Sequence, residues 1–138
     1  MTFAMDELLT WAAEQGVRVG WRPLGRRDGE YHSSGLILLD PRRPETVQKV
    51  TLAHELGHAH YGHTRTDDPS EHRHRERLAD RYAARLLIAP SEYALAERLV
   101  GSHPGALARE LGVTAAVVEA WRGEAHRLSG VPTARLAV

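Results

Sequence analysis

His54-Glu55-Leu56-Gly57-His58 carries the densest chemistry of this chain. Histidines four residues apart on a helix share one face and can ligate one metal ion, and a glutamate between them is placed to act as a base beside it. That arrangement is the chemistry of a hydrolytic zinc site. Val47, Val50, His54 and His58 follow one another at intervals of three or four, so the histidines are expected in line with an apolar stripe of their helix. Gly57 costs roughly 1 kcal/mol against alanine in a helix, which points to another element passing close to it.

Two histidines leave a catalytic zinc ion one protein ligand short, because such a site takes three and keeps a fourth position for water. The chain has no cysteine, so the third ligand must be histidine or carboxylate. Tyr61 and Thr64 stand where a metzincin needs Gly and His, and His60 and His63 fall off that spacing. Glu76 is the better choice, on a following helix where Glu76, Asp80, Ala83 and Leu87 share a face, the layout of gluzincin-type sites. His72 and His74 are rivals within a charged segment expected to be solvated. Asp80, one turn beyond Glu76, can accept a hydrogen bond from the far ring nitrogen of a ligand histidine. Zinc would make water acidic near neutral pH, and Glu55 would take the proton and later hand it to a leaving amine. Tyr31, His32, Tyr93 and His103 are candidates to steady the oxyanion, and the sequence does not choose among them.

These side chains need a scaffold. Apolar residues on a helical period over residues 6–15, stopped by Gly16, predict a first helix. Residues 17–23 alternate as a half-buried strand, Asp28-Gly29 signals a hairpin turn, and residues 30–32 form a short second strand. The uninterrupted apolar run at residues 35–39 suits a strand covered on both sides, and its edge is a candidate surface for adding an extended peptide. Helices are then expected from residue 44 or 45 to about 61, from 75 to about 89, from 91 to about 100, and twice more toward the C-terminus. Residues 62–74, without periodic apolar positions, read as an exposed loop. The fold class is α+β, a sheet of about three strands packed against a helical bundle that carries the motif.

At 138 residues, 42% hydrophobic and 26% charged, the chain has the make-up of a single globular domain over residues 1–138, with residues 130–138 as a tail. A formal net charge of zero argues against a broad electrostatic footprint for nucleic acid. No disulfide framework, basic leader or membrane-length apolar run is present, and a cytoplasmic location with no membrane partner is expected.

Val50-Thr51-Leu52-Ala53-His54-Glu55-Leu56-Gly57-His58, followed by Glu76, Ala79-Asp80, Tyr82-Ala83-Ala84, Leu86-Leu87 and Pro90, resembles the signature of the ImmA/IrrE metallopeptidases. The likeness covers roughly residues 30–120, with Tyr82 where phenylalanine is usual and Ala89 where methionine is common. It implies a zinc-dependent endopeptidase with His54, His58 and Glu76 as metal ligands and Glu55 as catalytic base. It also implies a cytoplasmic protein whose substrate is a helix-turn-helix repressor of a mobile element or stress regulon.

Residues 106–121 support a reading of another class. Small residues, a Gly112-Val113 turn and a second apolar helix make a helix-turn-helix pattern within the helical segment 101–128. The alternative is therefore a DNA-binding transcriptional regulator with a structural or vestigial metal site. Residues 101–138 hold four Arg against three Glu, little surplus for phosphate contact, which favours a packing or partner-docking role for this segment.

Overall fold

Helix α1, Met5–Glu14, opens the computed structural model, which describes residues 3–129. Glu7 accepts a hydrogen bond from the Ala4 backbone at 3.0 Å, Leu8 and Ala12 are buried, and Gly16 at φ +76° turns the chain into the sheet. Strands β1 (Arg18–Trp21), β2 (Gly29–His32) and β3 (Leu36–Leu39) lie in the order β1-β3-β2. β1 runs parallel to β3 and β2 antiparallel to it.

This order corrects three expectations. Asp28-Gly29 does not join β1 to β2; the hairpin joins β2 to β3, closed by the Gly35 amide on the His32 carbonyl at 2.9 Å with Gly35 at φ +89°. β3 is the central strand, with both edges paired, so the outer edges of the sheet belong to β1 and β2. Nor is β3 covered on both sides: Ile37 and Leu39 are fully buried, whereas Leu36 and Leu38 are half-buried. Gly29 has another task, since a Cβ there would stand 2.5 Å from Thr51 Cγ2. The missing side chain lets β2 lie against the helix that carries the motif.

That helix is α2, Glu45–His60. Asp40, buried at the end of β3, fixes the entry to it by accepting from the Leu24 and Arg42 backbone amides, each at 2.9 Å, and from the Arg42 guanidinium at 2.6 Å. The core stripe of α2 is Leu52, Ala53, Leu56 and Gly57. Val50, His54 and His58, expected in line with the apolar stripe, occupy the adjoining half-buried strip. Metal chemistry needs that displacement, because a ligand sealed in the core has no room for substrate.

Helix α3, Pro69–Leu87, starts six residues earlier than expected, leaving a loop only at residues 61–68. Asp68 caps it, accepting from the Ser70 and Glu71 amides at 2.9 and 3.4 Å, with Pro69 at the first helical position and a Glu71–Arg75 pair one turn on. α3 packs closely on α2: a Cβ at Gly57 would lie 2.8 Å from Ala79 Cα and 3.1 Å from its carbonyl oxygen. The close approach read from Gly57 is thus present, and it sets the distance between the two helices that hold the chemistry.

Helices α4 (Pro90–Val100), α5 (Pro104–Leu111) and α6 (Ala115–Ser129) complete the α+β fold. Gly112 at φ +68° makes the α5–α6 turn, and α6 packs along α3. Trp121 stacks on Tyr93 with ring centroids 4.1 Å apart and donates to the Ile88 carbonyl at 3.2 Å. Among the described residues no helix is long and apolar enough to cross a membrane. The expected tail at residues 130–138 lies outside the described residues.

Candidate metal centre and its cleft

The close α2–α3 packing brings His54, His58 and Glu76 to one point. His54 Nε2 is 3.1 Å from His58 Nε2 and 3.4 Å from Glu76 Oε2, and His58 Nε2 is 2.6 Å from the same oxygen. Among the described residues these are the one group of three or more such side chains whose ligand atoms can hold a metal ion, all within 4.8 Å of one another. Donors about 2.0–2.1 Å from a tetrahedral zinc ion are about 3.3 Å apart; the His54–His58 and His54–Glu76 separations are close to that, and the His58–Glu76 pair, a hydrogen bond at 2.6 Å, would widen to hold such an ion. His72 and His74, the rival third ligands, are exposed on α3 and outside the group.

Beyond this point the two imidazoles have different partners. His54 Nδ1 lies 2.8 Å from Asp80 Oδ1, the hydrogen bond anticipated from the one-turn spacing of Glu76 and Asp80. His58 Nδ1 lies 2.9 Å from His63 Nδ1. His63 misses a ligand offset in the sequence. Its position follows instead from the end of α2, where the Gly62 amide bonds to the Ala59 carbonyl at 3.1 Å and the His63 amide to the His58 carbonyl at 2.9 Å. Gly62 at φ +64° completes a Schellman cap that folds His63 back over His58. Tyr61-Gly62 after the last helical histidine was the signal available in the sequence.

The electrostatics follow from crowding. Burial disfavours a charged His54, but hydrogen bonds to Asp80 and Glu76 outweigh it and raise its pKa to about 10. Hydrogen bonds from His54 and His58 hold the Glu76 carboxyl well below the usual carboxylate range. Burial pushes the Glu55 carboxyl up, against the opposing pull of the two histidines. Burial also lowers His63, with His58 and Arg75 acting in the same sense. The Asp80 and Glu76 carboxylates thus favour positive charge at the cluster, the property a cation site requires.

Glu55, His58 and Glu76 open on a cleft of about 760 Å³ between β2 and α3. Tyr31 and His32 of β2 line it, so both remain near the chemistry as possible oxyanion donors. Tyr93 and His103 do not: Tyr93 is held under Trp121 and accepts from Arg122 at 2.7 Å, and His103 caps α5 through the Gly105 amide at 3.1 Å. Arg75, tied to the Thr64 carbonyl, and Glu30, paired with Arg27, also reach this cleft and had no signal in the sequence.

The helix-turn-helix pattern does fold as two helices, α5 and α6. The segment Thr114-Ala115-Ala116-Val117-Val118-Glu119-Ala120 has no basic residue, and Thr114, Ala116, Val117 and Ala120 share a groove with His54 and Asp80. The Asp80 carboxylate on that side opposes an approaching phosphate.

Residues 12–120 match the family described as Peptidase_M78, IrrE N-terminal-like domain. No curated relative matches the chain.

Proposed function

The chain belongs to the Peptidase_M78 family of IrrE N-terminal-like metallopeptidases, and we propose that it is a zinc-dependent endopeptidase acting on a helix-turn-helix repressor in the cytoplasm. The convergence of His54 Nε2, His58 Nε2 and Glu76 Oε2 beside Glu55, at one end of an open cleft, carries this reading.

His54, His58 and Glu76 would hold the ion and Glu55 would be the base. When bound, zinc supplies the Lewis acidity that makes water acidic near neutral pH and polarises a carbonyl. Glu55 takes the proton from the attacking water and returns it to the leaving amine, and the burial that raises its pKa suits a group that must do both. Asp80 and His63 hold the two imidazoles with their Nε2 atoms turned inward. The outer edge of β2, the edge strand that lines the cleft, can pair with an extended substrate strand, fixing its backbone across the site. The repressor as substrate rests on the family likeness alone.

The direct test is incubation of the zinc-loaded protein with helix-turn-helix repressors from the same genome, with Glu55→Gln as control. Cleavage by the natural chain and its loss by at least about a thousandfold in the variant support the proposal. Equal cleavage by both would refute Glu55 as the base, and a repressor left intact by the natural chain would refute that substrate.

A further inference from the structure

Charge is unevenly committed in the cleft between β2 and α3. Of the carboxylates lining it, Glu30 is paired with Arg27, Glu76 is held by His54 and His58, and Glu55 is the base of the reading above. The cations of the α3 wall are less engaged. Arg65 is exposed and makes no ion pair among the described residues, and exposed His72 lines the same wall. Arg75 donates to Glu71, which does not line the cleft, and to the Thr64 carbonyl.

Local structure holds this charge at the rim. The Gly62 turn draws His63 back to His58, and Thr64 is tied to Arg75, so Arg65 follows two anchored residues. Asp68 is used by the cap of α3, and Asp67 does not line the cleft. Beyond the rim α3 exposes Arg73 and Arg77, also without an ion pair among the described residues, which extends the positive field along the helix.

We infer that the cleft selects an acidic polypeptide segment as substrate, with the Arg65, His72 and Arg75 wall meeting carboxylates that flank the bond to be cut. The inference rests on the peptidase reading above. The wall lines the same cleft as Glu55, His58 and Glu76, so a chain that reaches them through the cleft passes along it.

A lysine-rich segment would meet guanidiniums and find no uncommitted carboxylate for its ammonium groups, a cost that excludes such partners. An acidic segment matches the paired donors of guanidinium, and exposed pairs that contribute little singly add along one chain. A nucleic-acid strand is the poorer polyanion here. It carries charge at every nucleotide and would set phosphates over Glu55 and Glu76, whereas a polypeptide can place neutral residues there.

The test measures the fluorescence anisotropy of short rhodamine-labelled peptides with the zinc-loaded full chain at low ionic strength. The peptides share a frame of alanine, leucine and serine and carry glutamate, glutamine or lysine at the same positions. The glutamate peptide should bind at least about tenfold tighter than the glutamine peptide, with the lysine peptide weaker still, and the difference should fade at high salt. Arg65→Glu should cut the glutamate preference by at least about fivefold, and Arg75→Gln should cut it in the same direction. Arg98→Glu makes the same charge change on exposed Arg98 of α4, outside the cleft, and should leave the preference within about twofold. Equal binding of the three peptides, or an equal fall in Arg65→Glu and Arg98→Glu, overturns the inference. So does a duplex oligonucleotide that outbinds the glutamate peptide and depends on Arg65 in the same way.

Longer incubation separates this inference from the reading beneath it. Hydrolysis of the glutamate and glutamine peptides at equal rates retains the peptidase and overturns the acidic preference. Binding that depends on Arg65, with no peptide cut by a chain that holds zinc, overturns the peptidase reading and with it the role of this wall in selecting substrate.

Discussion

The Nδ1 atoms of His58 and His63 lie 2.9 Å apart. A metal ion on His58 Nε2 would leave that ring's proton at Nδ1, placed for donation to an unprotonated His63 Nδ1. His54 gives its corresponding proton to the Asp80 carboxylate. One imidazole is thus oriented by a carboxylate and the other by a second imidazole. His63→Ala should weaken zinc binding by about 10–100-fold, and His63→Asn, which retains an acceptor, should recover part of the loss. Competition against a chromophoric chelator measures both; equal affinity of all three proteins would exclude a role for His63 in orienting His58.

Gly57→Ala sets helix propensity against space. Alanine would gain about 1 kcal/mol in an isolated helix, yet its Cβ would fall 2.8 Å from Ala79 Cα, which is backbone and cannot swing aside. Overpacking of about 1–3 kcal/mol should win, giving a less stable protein in urea. Because α2 and α3 would be forced apart, zinc affinity should fall as well. A variant as stable as the natural chain would show that the interface has slack.

Asp40 should make stability depend on acid. The Arg42 guanidinium, helped by the Leu24 and Arg42 amides and opposed by burial, holds its carboxyl well below the usual range. A carboxylate depressed on folding stabilises the fold fully above its unfolded pKa of about 3.9. That contribution is lost as pH falls from there through the lower folded value. Asp40→Asn should therefore be less stable at pH 7, and its deficit should shrink as pH drops below about 4. Thermal unfolding from pH 7 to pH 2 checks this, and a deficit that does not change with pH would show that the charge is not what stabilises the turn.

The clustering of these side chains was legible in the sequence because it is local. His54, Glu55 and His58 are fixed by helical geometry alone, and Glu76 and Asp80 by one turn of the next helix. The start of α3 was legible too, but as a cap rather than a pattern: Asp68-Pro69 followed by Glu71 announces a helix that the apolar periodicity of residues 69–74 does not. The sheet was harder. Four-residue strands carry too little pattern to choose partners, and their order follows from tertiary fit, with Gly29 allowing β2 to settle on Thr51 and leaving β3 between its neighbours. His63 is not legible from ligand spacing, because its position comes from the turn at Gly62.

Metal content of the purified protein tests the central claim most directly, measured by elemental analysis after zinc reconstitution at neutral pH and removal of free metal. The account predicts one zinc per chain in the natural protein and in Glu55→Gln, and none retained in His54→Ala or Glu76→Ala. Full retention in Glu76→Ala, or no zinc in the natural chain, would contradict it.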